Sequence, residues 1–161
     1  MTRAEFISQT KAVEKAFRRF LTALCCGDSS MADDIAQEAF LKAYVALGTL
    51  NSDSGFRAWI YRIGYNTFLS DRRAARPHTG YDTMPAMCSE ERADEAFRYQ
   101  ELYAALDRLP PKERTSVLLY YMEGYRIKEI AALEGVSEEA VKQHLSRGRS
   151  HLRAILAPEN R

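Results

Sequence analysis

Apolar residues along this chain recur at spacings of three and four, and nowhere do they alternate, so the pattern predicts helices and no strands. Between Ala4 and Leu24 the apolar positions are Phe6, Val13, Phe17, Phe20, Leu21 and Leu24, set among Lys and Arg. Gly27-Asp28-Ser29-Ser30 breaks that run and offers caps for a second helix near Met31 to Leu47, with Ala36, Ala39, Phe40, Ala43, Tyr44 and Leu47 on one side. Gly48 to Gly55 reads as a loop. A third helix, about Phe56 to Arg73, carries a stripe of Phe56, Trp59, Ile60, Ile63 and Thr67. Ala74 to about Ser89 has Pro77, Gly80 and Pro85 without periodicity, as a linker would. Helical spacing resumes near Glu90, stops at Pro110-Pro111, restarts through Val117, Leu118, Tyr120 and Tyr121, and ends at Glu123-Gly124.

The last stretch, Tyr125 to Leu156, is the most informative. Ile127, Ile130, Ala131 and Leu133 form a short helical pattern, Gly135 breaks it at a tight turn, and Ser137 follows as a helix N-cap with Glu138 and Glu139 in the first turn. On the helix that Ser137 starts, Val141, Leu145, Gly148, Leu152 and Leu156 fall within about 80° of arc. Gln143, Ser146 and Arg147 fall opposite. Lys142, Arg149 and Arg153 line one flank, and His144 and His151 the other. Such a layout suits the second helix of a helix-turn-helix, which packs by one face and presents the other to base edges while its flanks reach phosphates. From Lys142 to Ala157 there are four Lys or Arg and no acid, which an ordinary solvated amphipathic helix seldom shows.

Two surfaces in the first half carry alternatives. Asp34, Glu38 and Lys42 lie opposite the apolar side of the second helix, yet Leu41 and Val45 lie among them. Either a neighbouring helix covers these two, or they form a protein-binding patch framed by acids. On the third helix, Arg57, Tyr61, Tyr65, Phe68 and Arg72 point away from the stripe, and Arg57, Arg62, Arg72, Arg73 and Arg76 against Asp71 leave the segment at +4. Burial of the three aromatics by further helices is one reading. The preferred one is an exposed platform on which unpaired bases stack.

Composition narrows the class. The chain of 161 residues, 46% hydrophobic and 28% charged, suits one ordinary or two small soluble domains. No apolar run approaches membrane-spanning length, and no signal peptide is expected at Met1–Arg3. Cys25, Cys26 and Cys88 are an odd number without metal-ligand spacing, so neither a disulfide frame nor a zinc site is expected, and a cytoplasmic setting is. A net charge of +1 leaves little non-specific attraction for DNA, so a dimer partner or a larger assembly should hold the chain on the duplex.

Taken together, these residues resemble the extracytoplasmic-function sigma factors of bacterial RNA polymerase. Asp33-Asp34-Ile35-Ala36-Gln37-Glu38-Ala39-Phe40 is similar to the family's region 2 docking helix. Trp59-Ile60-Tyr61-Arg62-Ile63 through Asn66, then Asp71-Arg72-Arg73, is similar to the promoter-melting segment. Leu109-Pro110-Pro111-Lys112-Glu113-Arg114 through Arg149 resembles region 4. The resemblance implies an all-α fold of two small helical domains, region 2 over 1–75 and region 4 over 91–161, joined by a linker over 76–90 that threads the polymerase cleft. It implies that Asp34, Gln37, Glu38 and Leu41 bind the polymerase clamp coiled coil, with the flap as a further contact. Leu50, Asn51 and Asn66 would hold a base flipped from the minus-10 element, and Tyr61 and Tyr65 would lie along the opened strand. Lys142, Gln143, Ser146 and Arg147 would read the minus-35 element, with Ser137 and Arg149 on phosphates. The partners implied are core polymerase, promoter DNA and an anti-sigma factor. No cofactor, metal, membrane insertion or obligate homo-oligomer is implied. The chain departs from the family's usual pattern at Leu50, Glu138-Glu139 and His144.

Two other classes compete with a promoter-specificity subunit lacking catalysis of its own. A dimeric helix-turn-helix repressor would need neither the Asp33–Phe40 helix nor the aromatic third helix. A small hydrolase finds no nucleophile-base arrangement, phosphate loop or metal spacing to support it.

Overall fold

The computed structural model describes residues 1–50, 55–74 and 99–157, and all regular structure among them is helical. The chain divides into two compact units, Met1–Thr22 with Asp28–Ala86, and Ala23–Gly27 with Met87–Arg161. The expected linker over 76–90 and the acidic helix start at Glu90 lie outside the described residues.

The first unit holds all but the last two residues of α1, which spans Arg3–Leu24, then α2 over Ser29–Val45, a single 3-10 turn over Leu47–Thr49, and α3 over Phe56–Ala74. The break between α1 and α2 is made by backbone. Cys26 and Gly27 take φ of 56° and 93°, a region costly for a side chain and free for glycine. Asp28 then caps α2, its carboxylate accepting from the Met31 N–H at 3.0 Å. Ala32, Ala36, Ala39 and Ala43, all buried, give α2 a face of small side chains that lets neighbouring helices come close.

The core of this unit is aromatic. Tyr61 of α3 sits with its ring centroid 5.1 Å from both Phe17 and Phe20 of α1. Phe17 also meets Phe40 edge to face at 5.3 Å. Gly64 lets α3 sit close against α1: a Cβ there would lie 2.6 Å from the Phe17 ring. Polar ties secure the periphery. Arg18 bonds Asp33 at 3.1 Å and Glu14 at 3.1 Å, and Lys42 donates to Thr67 Oγ1 at 3.2 Å.

Here the structure corrects the expectation for the third helix. Tyr61, Tyr65 and Phe68 are buried, whereas Trp59 and Ile63 of the expected stripe are only partly so. The buried residues Phe56, Ile60, Tyr61, Gly64, Tyr65, Thr67 and Phe68 occupy about half of the helix circumference at about 100° per residue. A periodicity argument that assumes a single narrow stripe assigns the second half of that arc to solvent. Tyr44, expected in the core, is partly exposed and rests edge to face on Phe6 at 5.6 Å.

In the second unit α4 spans Gln100–Asp107, α5 spans Pro111–Val117, α6 spans Ile127–Glu134 and α7 spans Glu138–Leu156. Pro111 opens α5 at the first helical position, where its missing N–H is no loss. The helix widens after Val117 into a π turn over Leu118–Met122, closed by Glu123 N–H to Leu118 O at 3.2 Å. The core is mainly aliphatic: Leu106, Leu109, Val117, Leu119, Ile130, Leu133, Val141 and Leu145 are all buried. Arg114 is buried too, and its guanidinium is satisfied by carbonyls at the end of α4 and just beyond it, donating to Leu106 O at 2.9 Å and Leu109 O at 3.1 Å. Nothing in the spacing of the sequence marked Arg114 as an interior residue.

Candidate nucleic-acid interface

The pair α6–α7 is assembled by short-range chemistry. Glu129 Oε1 accepts from the Arg126 N–H at 2.8 Å, closing the start of α6. Gly135 ends it with φ of 71°, its N–H and that of Val136 returning to Ala131 O at 2.9 and 3.0 Å. Ser137 Oγ accepts from the Ala140 N–H at 3.1 Å and starts α7. Each punctuation mark expected from the sequence is thus occupied.

Val141, Leu145 and Gly148 of α7 are buried, and Ser137, Lys142, Gln143, Ser146, Arg147 and Arg149 are all exposed. The structure therefore brings the expected minus-35 residues onto one accessible side of one helix. Lys142 is shared with Glu139, 3.7 Å away, and Arg149 Nη1 donates to Tyr121 Oη at 3.2 Å. Both are surface interactions worth little on their own, so either cation can turn to a phosphate. The apolar stripe fades at the far end. Leu152 is half-buried and Leu156 is 47% exposed, because α7, at 19 residues, outlasts the seven- and eight-residue helices beneath it.

Behind the exposed face lies a polar cluster that sequence reading did not anticipate. Ser116 Oγ lies 2.7 Å from Glu134 Oε2 and 3.5 Å from His144 Nδ1, and Glu113 Oε1 lies 2.7 Å from His151 Nδ1. Burial pushes the Glu134 carboxyl up to about 7, against the Ser116 hydrogen bond and the nearby Lys112 charge, which pull the other way. Burial, and then Lys112, holds His144 below the usual histidine value.

On α2, Asp34, Gln37, Glu38 and Leu41 are all exposed, and they cover one side of the helix together with Tyr44 and Val45. Leu41 is 64% and Val45 79% exposed, so no helix among the described residues covers them. Glu38 pairs loosely with Lys42 at 3.8 Å. Partial burial, and then the negative charges of Glu38 and Asp34, raise the Asp71 carboxyl on α3, with Lys42 opposing. The patch is therefore apolar at its centre and acidic around it.

The expected minus-10 residues fare unevenly. Asn66 is exposed and Leu50 half-buried, while Asn51 lies outside the described residues. Tyr61 and Tyr65, being buried, offer no stacking face in this arrangement. What α3 presents instead is a row one turn apart, Ala58, Arg62, Asn66 and Ser70, all exposed. Spacing by four from Asn66 would have found that row.

Among the described residues no helix is long and apolar enough to cross a membrane. Comparison with known proteins gives matches to two family models, Sigma-70 region 2 over residues 11–77 and Sigma-70 region 4 over residues 99–152. The ECF RNA polymerase sigma factor SigM of Mycobacterium tuberculosis is 32% identical over 154 residues, covering 90% of this chain and 77% of that protein. SigW of Bacillus subtilis, also an ECF RNA polymerase sigma factor, is 32% identical over 145 residues, covering 81% of this chain and 78% of that protein. A protein of Xanthomonas campestris named as the probable RNA polymerase sigma factor RfaY is 37% identical over 136 residues, but this chain spans only 34% of its length. Among solved structures, CnrH in complex with the cytosolic domain of CnrY is 26% identical with a TM-score of 0.72, covering 96% of this chain and 89% of that one. The sigma factor RpoE of Bartonella quintana, solved with the anti-sigma factor NepR, has a TM-score of 0.76 at 21% identity, covers 96% of this chain and 98% of that one, and supports the fold. With two helical units, an exposed basic helix closing a helix-turn-helix, and these matches along both, the chain belongs to the ECF family of RNA polymerase sigma factors.

Proposed function

We propose that the α2 face of Asp34, Gln37, Glu38 and Leu41 docks on the clamp coiled coil of core polymerase, and that α7 reads the minus-35 element. The first part rests on two exposed aliphatic side chains on the helix face that also carries Asp34 and Glu38, an arrangement that suits a partner with an apolar groove and basic rim. The second rests on α7, whose outward side offers Arg147 for a guanine and Gln143 for an adenine, with Lys142, Arg149 and the Ser137 hydroxyl at phosphates. On α3, Arg62 and Asn66 face the opened minus-10 strand, with Leu50 and Asn51 at the flipped base; Tyr61 and Tyr65 support that surface from beneath. Residues 1–75 and 91–161 act as regions 2 and 4, with 76–90 passing through the polymerase. The chain itself catalyses nothing and works in the cytoplasm. An anti-sigma factor restrains it by covering both DNA-contacting surfaces.

The observation that carries this reading is the exposed Leu41–Val45 pair within acidic surroundings, which neither a repressor nor a hydrolase needs. Run-off transcription with core polymerase and a genomic library tests it, with Asp34→Arg as control. Specific transcripts are expected from the native chain, and none from Asp34→Arg, which should keep its thermal unfolding profile. A stable homodimer that shifts operator DNA but does not bind polymerase would refute the reading.

A further inference from the structure

The polar cluster behind α7 joins three helices through one hydroxyl. Ser116, on α5, is fully buried. Its Oγ reaches Glu134 Oε2 at the end of α6 and His144 Nδ1 on α7. Glu134 Oε1 is buried and has no hydrogen-bond partner among the described residues.

A serine hydroxyl carries one proton and accepts others. With Glu134 ionised, the Ser116 hydroxyl donates to the carboxylate, the row closes only when His144 carries its proton on Nδ1, and Glu134 Oε1 is left a buried, charged acceptor without a partner among the described residues. With Glu134 protonated, the carboxylic acid donates to Ser116 Oγ, and the Ser116 hydroxyl donates to His144 Nδ1. The row then runs unbroken from α6 through α5 to α7. We propose that Glu134, Ser116 and His144 form a proton-holding clasp that seats the DNA-reading helix on its scaffold, so that the seat loosens as the clasp gives up its proton.

Burial favours this state at both groups, while the Lys112 charge opposes protonation of Glu134 and Glu113 opposes neutrality of His144. Lys112 of α5 faces both Glu134 and His144, and Glu113 of α5 and Arg147 of α7 also act on His144. Glu113 is in turn engaged by His151 of α7. The carboxyl titrates near neutrality and the imidazole below its usual range, so the pair passes through the doubly neutral state at ordinary pH.

The sign follows from linkage. Glu134 binds its proton more tightly folded, at about 7, than unfolded, at the ordinary value of 4.5. Its contribution to stability is complete below that ordinary value and is lost as pH rises through about 7. His144 acts oppositely: held below its ordinary 6.5 when folded, it contributes stability above that value and loses it as pH falls. The two are separated by Glu134→Gln, which keeps an amide donor toward Ser116, removes the carboxyl titration and leaves the histidine.

The biological consequence rests on α7 being the minus-35 reader, but the test does not. Thermal unfolding of the full chain is followed from about pH 5.5 to about pH 8.5 for the native protein, Glu134→Gln and Ser116→Ala, with imidazole titration by NMR. The native midpoint should fall by several degrees relative to Glu134→Gln as pH rises. Ser116→Ala should raise the His144 titration, since neutral Nδ1 loses its donor. Parallel native and Glu134→Gln curves, or a His144 titration unmoved by Ser116→Ala, would overturn the clasp. If the unfolding results hold while the polymerase holoenzyme ignores minus-35 DNA at every pH, the clasp stands and the recognition reading falls.

Discussion

Gly148 of α7 and Val117 of α5 stand so close that one added methyl group has no room: a Cβ on Gly148 would lie 2.7 Å from Val117 Cγ2. The same Cβ would also touch Glu113 at 3.6 Å. This approach fixes the depth at which α7 beds into its unit, and so the height of its exposed face.

Gly148→Ala sets two effects against each other. Alanine is the better helix former by about 1 kcal/mol, whereas overlap in a packed contact costs about 1–3 kcal/mol. Val117 is β-branched and stiff at χ1, so it cannot swing away as a long side chain would. Overlap should win, lowering the unfolding midpoint by a net cost of about 1 kcal/mol. Adding Val117→Ala should return part of that loss, a coupling readable in a double-mutant cycle. A Gly148→Ala protein more stable than the native one would mean the helices separate freely.

Tyr61 distinguishes a core residue from a strand-contacting one. Enclosed by Phe17 and Phe20, Tyr61→Ala should cost about 3–5 kcal/mol in the absence of any DNA. Asn66→Ala, on the exposed row, should change stability by no more than about 0.5 kcal/mol while impairing promoter opening. Denaturant titration of both variants beside an open-complex assay checks this. A Tyr61→Ala chain with native stability would return the tyrosine to the surface.

Arg147 is exposed at the centre of the outward side of α7. Arg147→Ala should leave the unfolding midpoint unchanged and cost about 1–3 kcal/mol at a single minus-35 position. Holoenzyme binding to promoters varied one base pair at a time measures it. A uniform loss at every sequence, with a shallower salt dependence, would assign Arg147 to a phosphate.

Much of the second unit was legible in the chain because its signals are local. Gly135 must turn left-handed, Ser137 must cap, and Pro111 must start a helix; each constraint acts over three or four residues and competes with nothing distant. The exposed α7 residues follow from the same rule, since a helix with one buried face presents the other. The Leu41–Val45 patch was half legible: helical spacing put the pair outside the core stripe, but only the tertiary structure shows that no neighbour among the described residues covers it.

Periodicity by itself determined that this chain is helical, where its helices turn, and which side of the last one meets the outside. It could not count how many neighbours a helix has. Tyr61, Tyr65 and Phe68 are interior because α3 is covered around half its girth, and Arg114 and Ser116 are interior, with Glu134 half-buried beside them, because polar groups from other segments meet them there. Burial is a property of what arrives from elsewhere in the chain. A sequence states what each residue tolerates, and only the packed structure decides what each one touches.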